Sequence, residues 1–97
     1  MSVTSTIEAA LEQYLQPTFI EIIDESYKHA GHTGAKDGGG HFIVNIVSKQ
    51  FDGKSRIARH RMVHDATQHL FENKIIHALS IDAKTPEEAR RNQIEES

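Results

Sequence analysis

A chain of 97 residues, 26% charged and 37% hydrophobic, has room for one small globular domain with a thin two-layer core and no deep enclosed cavity. It contains no cysteine, which excludes a disulfide scaffold, an intrinsic thiolate zinc site, a self-contained Cys-ligated iron–sulfur centre and a cysteine nucleophile. It contains seven histidines, and its net charge of −3 suits phosphate-rich partners poorly. No window approaches the roughly 18 apolar residues of a membrane span, so no membrane association is expected. The segment Met1 to Ala10 has neither a secretory nor an Arg-rich transit character. A cytoplasmic location is the expectation, and a mature processed organellar form is the alternative.

In chain order, Ser5 and Glu8 are spaced as a capping box, and Ile7, Ala10, Leu11, Tyr14 and Leu15 form a helical stripe ended by Pro17. The first helix is expected over about residues 5–15. Phe19 to Ile23 and Phe42 to Val47 read as strands. Between them, Gly31, Gly34 and Gly38 to Gly40 mark a long, mobile hairpin loop over residues 26–40. It holds His29 and His32, and His41 stands where it meets the second strand. Asp52-Gly53 marks a turn. A helix over about Ser55 to Phe71 follows, with a buried stripe of Ile57, Met62, Val63, Ala66 and Leu70 and a polar face carrying Arg56, Arg59, His60, Arg61, His64 and His69.

Ile75 to Ala83 reads as a third strand, with Ile75, His77, Leu79, Ile81 and Ala83 on one face. Thr85 as N-cap, Pro86 at the first helical position and Glu88 at the third start a polar last helix, about residues 86–95. The order α-β-β-α-β-α in a single domain over residues 1–97 predicts an α+β fold. A three-stranded mixed sheet with helices packed on one face is the economical arrangement. The first two strands pair antiparallel, and the third joins either edge.

No Walker loop, His-Glu-x-x-His, dinucleotide fingerprint or nucleophile elbow is present, so an enzyme is not expected. His60 and His64 are spaced i, i+4, a possible metal pair, but no third donor stands at a fixed spacing and Arg59 and Arg61 repel a cation. The plainer reading is a solvated helix face. His77 lies in the apolar run Ile75 to Ile81. It reads either as a core histidine satisfied by one hydrogen bond or as an imidazole on a rigid strand at a surface groove. His29 and His32 read as exposed loop residues, or as mobile partners for His77.

The run Phe19 to Ser26, then His41-Phe42, Val47-Ser48 with Phe51-Asp52-Gly53, Arg59 to Val63 and Ile76 to Leu79 resembles the BolA family over about residues 5–92. The resemblance implies a fold similar to class II KH domains. It also implies a partnership with monothiol glutaredoxins of the Cys-Gly-Phe-Ser type, sharing a [2Fe–2S] cluster with glutathione for iron–sulfur trafficking or iron sensing. The partner and glutathione supply thiolates, so no cluster is expected in the isolated protein. By the same resemblance His77 is one metal ligand. The second comes from the loop between the first two strands, where His29 matches best and His32 and His41 are alternatives.

Two other readings compete. Some family members are stress-linked DNA-binding regulators of transcription, for which Arg59, His60 and Arg61, with Lys54 and Arg56, would be the contact surface. Yet the second helix and its flanks lack the Gly-x-x-Gly clamp of a KH domain. The last reading is a metal-free interaction adaptor. Alone, the chain is expected to be a monomer or weak homodimer.

Overall fold

A computed structural model describes residues 3–25 and 40–96, with side chains as far as Arg91. The elements are α1 (Val3–Leu15), β1 (Phe19–Asp24), β2 (Gly40–Val47), a short 3₁₀ turn (Lys49–Phe51), α2 (Arg56–Glu72), β3 (Ile76–Lys84) and α3 (Pro86–Glu96). The order matches the expected α-β-β-α-β-α. The sheet order is β1-β2-β3, with β1 antiparallel and β3 parallel to β2. The glycine-rich segment expected between β1 and β2, with His29 and His32, lies outside the described residues.

Strand β2 is central and alternates cleanly. Phe42, Val44 and Ile46 are buried, while His41, Ile43, Asn45 and Val47 are half-buried on the opposite face. The buried set meets Ile7, Leu11 and Leu15 of α1 and Val63, Ala66 and Leu70 of α2, with Phe51 fully enclosed among them. Ile20 and Ile22 of β1 and Leu79, Ile81 and Ala83 of β3 pack against the rim of this core. Helices α1 and α2 therefore cover one face. Helix α3 turns off the end of β3 and borders the other face there.

Three local expectations are corrected. Helix α1 starts at Val3, so Ser5 stands inside the helix rather than capping it. Ile57 is 67% exposed, because the core-facing stripe of α2 is Val63, Ala66, Thr67 and Leu70 and Ile57 lies off it in the first turn. Thr67 replaces it as a stripe member, its hydroxyl donating to the Val63 carbonyl at 2.9 Å, which removes the cost of burying it. The third correction concerns β3. Gly40 pairs with Ile76 and His41 with Ala78, so β3 carries one extra residue, His77, in a β-bulge. The bulge reverses the alternation: Ile76 is buried on the core side, where half-buried Leu79 also packs, and His77 is exposed. A regular strand would have put His77 on the core side with Leu79 and Ile81.

The ends of α2 are strongly defined. Ser55 caps the start, its hydroxyl accepting from the Ala58 amide at 3.1 Å. At the other end the Ile75 amide donates to the Leu70 carbonyl at 2.9 Å and the Lys74 amide to Phe71 at 3.0 Å, a Schellman turn. It holds Lys74 at φ 61, a conformation that glycine adopts without Cβ strain. Lys74→Gly is accordingly expected to stabilise the protein by about 0.5–1 kcal/mol in urea unfolding, net of the extra freedom glycine gives the unfolded chain.

Helix α3 begins with the expected capping box. The Thr85 amide donates to Glu88 Oε1 at 2.9 Å, and the Glu88 amide donates to Thr85 Oγ1 at 3.2 Å. The carboxylate also receives both terminal nitrogens of Arg59, at 2.7 and 3.3 Å. Chiefly through Arg59, and then through Thr85, these bonds hold the Glu88 carboxyl below the usual glutamate range. A lowered folded value means that the ionised form stabilises the fold. That contribution is complete above the usual glutamate range and is lost as pH falls through the lowered value. Glu88→Gln is therefore expected to lower the melting temperature near neutral pH, with the deficit shrinking as the solution is acidified below the usual glutamate range.

Candidate functional site

The bulge gives the molecule its most distinctive arrangement. His41 opens β2 on the face away from the helices, and the extra residue in β3 turns His77 to the same place. The two imidazoles stand with ring centroids 5.2 Å apart and planes tilted by 35°. They are anchored on paired backbone: the Glu25 amide donates to the His41 carbonyl at 2.8 Å, and the Gly40 amide to the Ile75 carbonyl at 3.2 Å. Rigid strand ends hold side chains more reproducibly than a free loop. The segment with His29 and His32 joins the same end of the sheet, since it connects β1 to β2.

Two imidazoles bound to one tetrahedral ion through one nitrogen each, at about 2.0–2.1 Å, place their ring centroids about 5 Å apart. The His41–His77 pair has that separation. Among the described residues no group of three or more His, Cys, Asp or Glu side chains could hold a metal ion. The described pair thus presents two imidazole rings side by side in a chain without cysteine.

The helical histidines are placed elsewhere. His60 is half-buried on α2, while His64 and His69 are exposed, with the His64 ring 5.3 Å from that of Phe71. His60 and Arg61 face outward to differing degrees, but Arg59 does not. Its side chain is 14% exposed, its Nε donates to the Lys54 carbonyl at 3.0 Å, and its Nη1 donates to the Ala83 carbonyl at 3.1 Å, besides the Glu88 pair. Arg59 ties the start of α2, the end of β3 and the first turn of α3 together. Its role as a fastening was missed in the sequence, where its neighbours His60 and Arg61 gave it the look of a surface cation.

The fold is that of a known family. The family model described as BolA-like protein matches residues 11–88, and the chain belongs to the BolA family. It is 45% identical over 87 residues to SufE-like protein 1, chloroplastic/mitochondrial, of Arabidopsis thaliana, covering 84% of this chain and 23% of that protein. It is 42% identical over 90 residues to BolA-like protein 1 of Mus musculus, covering 93% of this chain and 63% of the mouse protein. The chain thus spans less than two thirds of either relative. The solved BolA domain of SufE1 from Arabidopsis thaliana superposes with a TM-score of 0.79 at 45% identity, over 91% of this chain and 96% of that one. Among the described residues, no helix is long and apolar enough to cross a membrane.

Proposed function

We propose that this protein is the histidine-donating partner of a monothiol glutaredoxin and shares with it a glutathione-assisted [2Fe–2S] cluster, for iron–sulfur trafficking or iron sensing. The observation that carries the reading is the His41–His77 pair, two imidazoles at single-ion spacing on rigid strand ends in a chain without thiols. His77 supplies one nitrogen. The second comes from His41 beside it or from His29 or His32 in the segment joining the same end of the sheet. Histidine in place of cysteine on one iron raises the potential of such a cluster. The chain's own contribution is to hold the imidazoles on paired backbone, with His77 exposed at the surface.

The test is to mix the protein with a monothiol glutaredoxin and glutathione, reconstitute anaerobically, and record visible absorption and circular dichroism. The expected result is a coloured heterodimer whose spectrum differs from that of the glutaredoxin alone. A glutaredoxin that keeps its own spectrum and elutes apart from this chain overturns the proposal. A colourless complex would favour the adaptor reading. The DNA-binding reading has less support, because the inward fastening of Arg59 takes one of its cations out of the surface and leaves Lys54, Arg56 and Arg61. A gel shift insensitive to salt would remove it.

A further inference from the structure

The open face of the sheet is divided by a polar row. Glu21, Asn45 and Asp82 lie side by side across the three strands, with Asn45 Nδ2 donating to Glu21 Oε1 at 3.0 Å. The histidines stand on one side of this row. On the other side lies a groove of about 430 Å³ between the sheet and α3. That volume falls in the range of small-molecule sites, roughly 300–1,000 Å³.

Its floor is apolar. Phe19 is 54% exposed there, beside Val47 of β2, and Pro86 and Ala89 of α3 form the facing wall. Ala89 puts only a methyl group on this wall, so a longer side chain there would occupy part of the groove. The α3 wall is preformed, because the Thr85–Glu88 capping box and the Arg59–Glu88 fork hold the first turn of the helix against the end of β3. Three charges line the groove. Lys84 and Asp82 neutralise each other at 3.1 Å. Arg90 is exposed and, among the described side chains, has no acidic partner. The groove therefore carries one uncompensated positive charge over an apolar floor, on a chain whose net charge is −3.

We propose that this groove binds an amphipathic organic anion, a ligand with an apolar body that covers Phe19 and Val47 and a single carboxylate that pairs with Arg90. The apolar body supplies burial, and the guanidinium fixes orientation and sign of charge. The site is separate from the histidine pair and independent of the cluster reading.

The test uses the full chain, isotopically labelled, titrated with octanoate and followed by amide chemical shifts. Saturable shifts centred on Phe19, Val47 and Ala89 are expected. Arg90→Glu should weaken binding at least roughly tenfold, and octan-1-ol, which lacks the charge, should bind weaker than octanoate by a similar factor. Ala89→Trp should abolish binding, with Ala89→Leu as the smaller filling change should the Trp variant not fold. Lys74→Glu, the same charge change at the far end of α2, should leave affinity unaltered. Shifts centred elsewhere, equal affinity of Arg90→Glu and wild type, or equal binding of alcohol and carboxylate would each overturn the proposal.

Discussion

His77→Ala is expected to leave the isolated protein as stable as wild type while removing its contribution to a shared cluster. The first half follows from exposure: a solvent-facing side chain at a bulge lies outside the core, and its truncation should change stability by no more than about 0.5 kcal/mol. The second half follows from ligand count. In the proposed heterodimer the chain would give two nitrogens, and among the described residues no third His, Cys, Asp or Glu groups with His41 and His77 as a substitute donor. Residues that merely hold a metal ligand in place are commonly worth 10–100-fold in affinity, so losing a ligand should speed cluster loss from the heterodimer by at least roughly tenfold. The measurement is decay of the visible absorption of the reconstituted complex, with thermal melts of the isolated variant beside it. His41→Ala, His29→Ala and His32→Ala in the same assay identify the second donor. His69→Ala, exposed on α2, serves as the unaffected control. An unaltered spectrum and decay in His77→Ala would remove the ligand assignment even if the heterodimer itself forms.

Arg59→Ala should have the opposite signature, a large loss of stability with no direct effect on the imidazole pair. The guanidinium makes one bond to the Lys54 carbonyl in the turn before α2, one to the Ala83 carbonyl of β3, and a bidentate pair with Glu88. Hydrogen bonds to charged groups contribute roughly 1.5–3 kcal/mol when one partner is removed. The Glu88 side chain is 45% exposed, so solvent screens its share of the attraction. A net loss of about 2 kcal/mol is expected, which for a domain of this size lowers the melting temperature by roughly 10 °C. Arg59→Lys should recover less than half of it, because an ammonium cannot reproduce a planar fork reaching Ala83 and both carboxylate oxygens. Neighbouring Arg61→Ala should fall within about 0.5 kcal/mol of wild type. Equal stability of the Arg59 and Arg61 variants would show that the three-element fastening contributes nothing.

Much of the fold was legible along the chain because the signals were local. The stripe Ile7, Leu11 and Leu15, the alternation of Phe42, Val44 and Ile46, the helix beginning near Ser55 and the Thr85–Glu88 box each depend on residues within a turn or two. Ile57 is apolar, but at about 100° per residue it stands more than 100° around the helix from Val63, Ala66 and Leu70, and it faces solvent. A different error arose where a neighbour in space overrules a local pattern. His77 sits at an inward position of a regular strand, yet pairing of Gly40 with Ile76 and of His41 with Ala78 forces one residue out of the ladder.

The candidate site divides the same way. Composition by itself determined that any metal or cluster chemistry here must use nitrogen or oxygen donors and borrow its thiolates, because the chain has seven histidines and no cysteine. The family resemblance, carried by residues spread from Phe19 to Leu79, pointed to His77. Only the tertiary structure decided which of the remaining described histidines stands beside it and which basic residue is a fastening. His41 and His77 are 36 positions apart by sequence number, and their meeting depends on a parallel pairing and a bulge that no local pattern encodes. Arg59 is followed by half-buried His60 and exposed Arg61, and only the closure of β3 and α3 over the start of α2 turns it inward. A side chain's type is a property of the chain, but its exposure and partners are set by which backbones come to lie against it.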